Sequence, residues 1–157
     1  ILFWLMGDLD STRTVDALIV GGAMVAGIGS LVPFLREMDL LTLQDTGASA
    51  LGVNVVFSRS VLLLIACSLT ALTVAFTGGI AFVGLVVPHM ARLVVGPQHR
   101  SLVPCAAVLG SLMFVAADYL CRVLLPDSGL RVGVVMSMLG APFFLYLLVR
   151  IRRGQRL

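Results

Sequence analysis

The chain has 157 residues, 59% of them hydrophobic and 12% charged, with a mean hydropathy of +1.08 and a formal net charge of +3. A soluble domain carries about a quarter charged residues, so this composition excludes a single water-soluble core and points to an all-α membrane protein, a polytopic helical bundle. The basic residues are all arginine, with no lysine. A Walker-type phosphate loop and a Schiff-base enzyme are thereby excluded, and any ATP hydrolysis must belong to another polypeptide.

The chain opens at Ile1 with apolar residues up to Met6 and reads as the C-terminal fragment of a longer protein. Residues 1–157 are taken as one transmembrane domain. The first span is expected over residues 17–35, after Asp8, Asp10, Arg13 and Asp16. Its small residues four apart, Gly22/Ala26 and Ala23/Gly27, allow close helix approach, and Pro33 falls in its last turn.

A polar stretch follows from Arg36 to Arg59. Within it, Leu41-Thr42-Leu43-Gln44-Asp45-Thr46-Gly47-Ala48-Ser49-Ala50-Leu51-Gly52 has an acid early, small residues in the middle and a glycine at the end. Those are helix start and stop signals around a turn or two. The stretch reads either as a connecting loop or as a short helix, over residues 41–52, whose small-residue face docks into a partner's cleft.

Residues 60–91 carry no formal charge. As one helix they would span about 48 Å, too long for a ~30 Å hydrocarbon core and too short for two full spans and a turn. Thr77-Gly78-Gly79 breaks the run near its middle, so a full span over 61–76 and a shorter one over 80–95 are expected. A polar loop at 96–100, a span over 102–120, a loop around Pro126-Asp127-Ser128-Gly129 and a last span over 132–149 complete the pass. About five spans result.

Arginine placement tests this topology. With two crossings between Arg59 and Arg92, residues Arg36, Arg59, Arg92, Arg100, Arg150, Arg152, Arg153 and Arg156 share the cytoplasmic side, against Arg13, Arg122 and Arg131 outside. A single crossing would move Arg36 and Arg59 outside and erase most of the bias.

The chemistry-bearing residues are few. Cys67, Cys105 and Cys121 are far apart in apolar stretches and read as small hydrophobes, not as metal ligands. His89 is open to a proton-relay or a structural reading. Asp118 and Arg122 share a helix face at i,i+4; they read as a structural ion pair or as a cationic docking point. No catalytic residue, cofactor or metal site is expected.

Five blocks in order, from Leu41 onward, resemble the permease subunits of the iron-siderophore, haem and cobalamin ABC importers. The clearest are Phe82-Val83-Gly84-Leu85-Val86-Val87-Pro88-His89 and Gly140-Ala141-Pro142-Phe143-Phe144, and Trp4-Leu5-Met6-Gly7 looks like the end of the family's fifth span. The resemblance implies a ten-span, multi-pass permease of the bacterial inner membrane. Its partners would be ABC ATPase subunits, a soluble substrate-binding protein, a second permease subunit and membrane lipid, with no nucleic acid. Leu43, Asp45, Ala48, Leu51 and Gly52 would form the ATPase-coupling helix. Arg122 would dock the binding protein, helped by Arg131 and oriented by Asp118. Gly78, Gly84, Pro88, His89, Gly140 and Pro142 would be structural motif positions. The chain departs from the pattern at Gln44, Ala81, Gln98, Cys121, Arg131 and Met136, and the expected cargo is a metal chelate, first a ferric siderophore, with haem or cobalamin as the alternative. A membrane scaffold with no transport role is the distant alternative.

Overall fold

The computed structural model describes residues 13–43, 45–124 and 132–154, and among these there is no strand. Asp8, Asp10, the Trp4–Gly7 block, Gln44, the loop at 126–129, Arg131 and Arg156 lie outside the described residues.

Helix α1 (Thr14–Leu31) starts where the Asp16 carboxylate, three residues in, accepts the Arg13 backbone N–H at 3.0 Å. It does not end at residue 35 as expected. Pro33 turns one step of it into a 3₁₀ turn (Val32–Phe34), and the helix resumes as α2 (Leu35–Leu40). A proline lacks an N–H, and tightening the ladder to i→i+3 bonds absorbs that loss without stopping the rod. The rod Thr14–Leu40 counts 27 residues, about 40 Å long, so Arg36, Glu37 and Asp39 ride on its last turns.

A six-residue helix, α3 (Asp45–Ala50), precedes α4 (Val55–Thr77). The start of α4 comes six residues before the expected 61. Asn54 caps it by accepting the Phe57 N–H at 3.1 Å, and Arg59 is carried on the exposed side of an early turn. A long arginine stem tolerates such a place, which is why charge misplaced the boundary. The threonines of α4 return their hydroxyls to the helix, Thr70 to Ala66 and Thr73 to Leu69, both at 2.7 Å. An apolar helix thus carries them without orphaned donors.

Gly78, with φ +74°, ends α4 where expected. The next helix, α5 (Val83–Val95), begins three residues later than expected, after a non-helical stretch over 78–82. Then come α6 (His99–Tyr119), a π-helical turn (Leu120–Leu124) and α7 (Val132–Gly154). The rod Thr14–Leu40, α4 and the stretch His99–Val123 are each long and apolar enough to cross a membrane; α5 and the described apolar part of α7 are shorter.

Packing follows the small residues. Along the α1–α4 contact, a Cβ on Gly27 would come within 2.5 Å of the Leu69 side chain, whereas nothing lies within 4 Å of Gly22. Among the described residues, Gly27 and not Gly22 lies against α4. The most extensive contact joins α5 to α6, with Val87 against Gly110, and α7 packs on both. The buried cluster Ala117, Cys121, Val132 and Met136 closes that trio, with Ile80, Val83, Met113, Phe114 and Val135 around it. Two departures from the family pattern, Cys121 and Met136, therefore belong to one packed core. Outside it, Leu18, Val25, Leu64 and Leu112 are each about two-thirds or more exposed, part of an apolar surface far more extensive than soluble monomers present.

Candidate functional site

Helix α3 closes with paired bonds, Gly52 N–H to Ser49 C=O at 3.0 Å and Val53 N–H to Ala48 C=O at 3.2 Å. That is a Schellman motif, and it needs a residue at positive φ just past the helix. Gly52 supplies it at φ +83°. The terminus expected from the sequence is thus present, and Ala48 is turned inward. Ala48 is fully buried within its own chain, while Leu43 and Leu51 are 49% and 58% exposed. A small side chain at Ala48 seats α3 on the bundle, and Leu43, Ala50 and Leu51 are offered outward. The Asp45 side chain lies outside the described residues.

Two carboxylates on α2 hold this end of the bundle together. Glu37 accepts the hydroxyl of Ser58, a buried serine in the first turns of α4. Asp39 uses one oxygen, Oδ1, for two donors of His99: the backbone N–H at 2.8 Å and the ring Nδ1 at 2.6 Å. His99 is the first residue of α6 and is buried, and the cap residue before it, Gln98, adds no side-chain bond. One of the orphan donors at the α6 N-terminus is thereby satisfied from 60 residues away.

These contacts also fix the path of the charge-free run. Ser58 at its start and His99 just past its end both meet α2, and between them α4 alone extends about 35 Å. The chain must therefore travel out and back, as the two-crossing count of arginines required. The return arm is part extended, over 78–82, and part helix, α5.

The two clearest motif blocks, far apart in sequence, form one seam. A Cβ on Gly140 of α7 would lie 2.2 Å from the Cβ of Phe82, so only glycine fits there. Phe82 also faces Phe144, ring centroids 6.5 Å apart, and His89 meets Phe143 edge-on at 6.1 Å. Phe82 has φ +66°, the one non-glycine residue in the left-handed region among the described residues, and such a conformation persists where neighbours over-determine it. Gly84 has open space around its Cα. It stands four residues before Pro88, whose missing N–H and ring both fall on the Gly84 carbonyl. Pro142 lies inside α7 on the half-turn after Gly140. His89 therefore sits on a packed aromatic edge.

At the other end of α6, about 30 Å from His99, the Arg122 Nε donates to both oxygens of Asp118, at 3.0 and 2.9 Å. The pair is open to solvent on the arginine side, with 54% of that side chain exposed. The π-turn that carries Arg122 also turns Cys121 inward to the core. Its suggested companion Arg131 lies outside the described residues. Sequence reading named Asp118, Arg122 and His89 but passed over Asp39, Glu37, Ser58 and His99. The one available signal was His99 itself, a histidine opening a helix after Gly96-Pro97-Gln98 without a capping side chain beside it.

Residues 1–150 match the model of the FecCD transport family. The chain is 43% identical, over 94% of its length, to the cobalamin import system permease protein BtuC of Halobacterium salinarum, of which it covers 39%. It is 42% identical, over 96% of its length, to the Fe(3+) dicitrate transport system permease protein FecD of Escherichia coli, of which it covers 48%. A solved structure assigned to the metal-chelate type of ABC transporter, in an inward-facing conformation, superposes with a TM-score of 0.87 at 31% identity, over 94% of this chain and 49% of that one. The chain thus spans about half, or less, of the proteins it matches. With this match along nearly the whole sequence, and with its two motif blocks meeting in one seam, the chain belongs to the FecCD transport family.

Proposed function

We propose that this chain forms part of the permease subunit of an ATP-driven importer for a metal chelate in the bacterial cytoplasmic membrane. The observation that carries the reading is the pair of outward-facing groups at opposite ends of α6. Exposed Leu43 and Leu51 flank a seated helix α3 at one end, and the exposed cation Arg122 stands at the other. An apolar knob suits the cleft of a cytoplasmic ATPase subunit, and a rim cation suits an acidic binding protein outside. Residues 41–52 act as the coupling segment, and ATP hydrolysis belongs to the partner chain. A second permease subunit, the same or a paralogue, completes the pathway.

A ferric siderophore is the cargo proposed first. Haem or cobalamin is the second reading, because the relatives also include a cobalamin import permease at 43% identity and a hemin transport permease at 38%. The test is uptake by cells expressing the whole protein with its ATPase and binding-protein partners. Radiolabelled ferric citrate, a ferric hydroxamate, haem and cobalamin are supplied in turn. Energy-dependent accumulation of one of them is expected. Uptake of none, with the complex assembled in the membrane, would leave the scaffold reading in place of transport.

A further inference from the structure

We propose that Asp39 and His99 are positioning residues that carry movement of α3 into α6. The inference rests on the transporter reading and deepens it by naming the joint behind the coupling segment. Helix α3 leaves the bundle by two routes. Toward the C-terminus it passes Gly52 and Val53 into α4, whose Ser58 is held by Glu37 of α2. Toward the N-terminus it leads back through Leu43, Thr42 and Leu41. Their backbone N–H groups still bond to Leu40, Asp39 and Glu37, so the turn stays continuous with α2. Both routes therefore converge on one short helix, and α2 meets α6 through Asp39 and His99.

The geometry of that bond suits a joint. Ionised Asp39 is an acceptor only, so Nδ1 of His99 donates, and the two donors of one residue fix both the position and the rotation of the α6 N-terminus about Oδ1. His99 is buried, whereas the Asp39 side chain is 39% exposed, so the contact sits at the edge of the bundle with its donor side shielded. Beyond it, α6 and the π-turn that continues it carry the packed core at Ala117 and Cys121 and the Asp118–Arg122 rim. A displacement entering at α3 reaches the far rim along a single helix. The other carboxylate on the same element, Glu37, is committed to α4 and leaves Asp39 as the sole carboxylate of α2 on α6 among the described residues.

The experiment uses the whole transporter, with its ATPase and binding protein, in proteoliposomes. It reads chelate accumulated per ATP hydrolysed, using whichever of the four radiolabelled chelates the wild type accumulates, alongside the amount of assembled complex. Asp39→Ala removes the acceptor for both donors and is expected to lower the ratio about fivefold or more, the low end of a coupling free energy between sites. His99→Ala keeps the backbone bond and should fall between Asp39→Ala and wild type. Asp39→Asn keeps an acceptor oxygen and should return the ratio to within about twofold of wild type, while the amount of assembled complex separates lost coupling from lost folding. An Asp39→Ala complex that assembles and keeps the wild-type ratio overturns the proposal. If Asp39→Ala does not assemble, His99→Ala decides: a lowered ratio supports the joint, and a wild-type ratio overturns it. Wild-type transport with unaltered variants removes this inference alone, whereas a wild type that moves no chelate removes the transporter reading and the inference with it.

Discussion

Gly140 and Gly84 both belong to the family's motif blocks, yet they meet different surroundings. A methyl group at Gly140 would collide with the Cβ of Phe82, an atom fixed to the backbone that no change of rotamer moves. Forcing extra volume into such a contact costs typically about 1–3 kcal/mol. At Gly84 nothing stands within 4 Å, and alanine in a helix is favoured over glycine by about 1 kcal/mol. Gly140→Ala is therefore expected to lower the melting temperature of the detergent-purified protein, and Gly84→Ala to leave it level or raise it. Equal damage from both would contradict the seam as described. The Asp118–Arg122 pair is a contrasting case. Half-exposed ion pairs contribute about 0–1 kcal/mol, so the contact with Asp118 is a minor term in stability.

The short helix α3 shows what a sequence can and cannot tell about an element. Its terminus was legible, because Gly52 is the residue a left-handed cap demands. Its orientation was not, because six residues are too few to display a period, and a buried alanine looks like an exposed one. The consequence is measurable. Ala48→Arg would force a charge into a site with no exposure and should reduce assembly of the protein itself. Leu51→Arg, on an exposed turn, should leave assembly intact and reduce uptake per ATP. Normal assembly of Ala48→Arg, measured as complex extracted from the membrane, would show that α3 is seated differently. The break at 78–82 was legible for a better reason, since a charge-free run of that length needs an interruption and Gly78-Gly79 provides it. Single cysteines at Gly79→Cys and Gln98→Cys, in a background lacking Cys67, Cys105 and Cys121, should react with impermeant maleimide from opposite sides. Labelling from the same side would remove one of the crossings.

Across the whole molecule, the arginines gave the direction of the chain but misplaced its boundaries. Arg36 and Arg59 were read as edges of spans, whereas both stand on helical turns that extend past them. The contacts that organise one end, Glu37 with Ser58 and Asp39 with His99, join residues 21 and 60 positions apart. No local pattern announces pairs at such separations, so they came only with the fold. The bundle exposes Leu43 and Leu51 at one end and Arg122 at the other, and the proposed function assigns the two ends to different partners. Site-directed cross-linking tests that arrangement most directly. A photoreactive group at Leu51→Cys is predicted to capture the ATPase subunit, and one at Arg122→Cys to capture the soluble binding protein, in the same assembled complex. Capture of one and the same partner from both positions, or of neither partner from either, would contradict it.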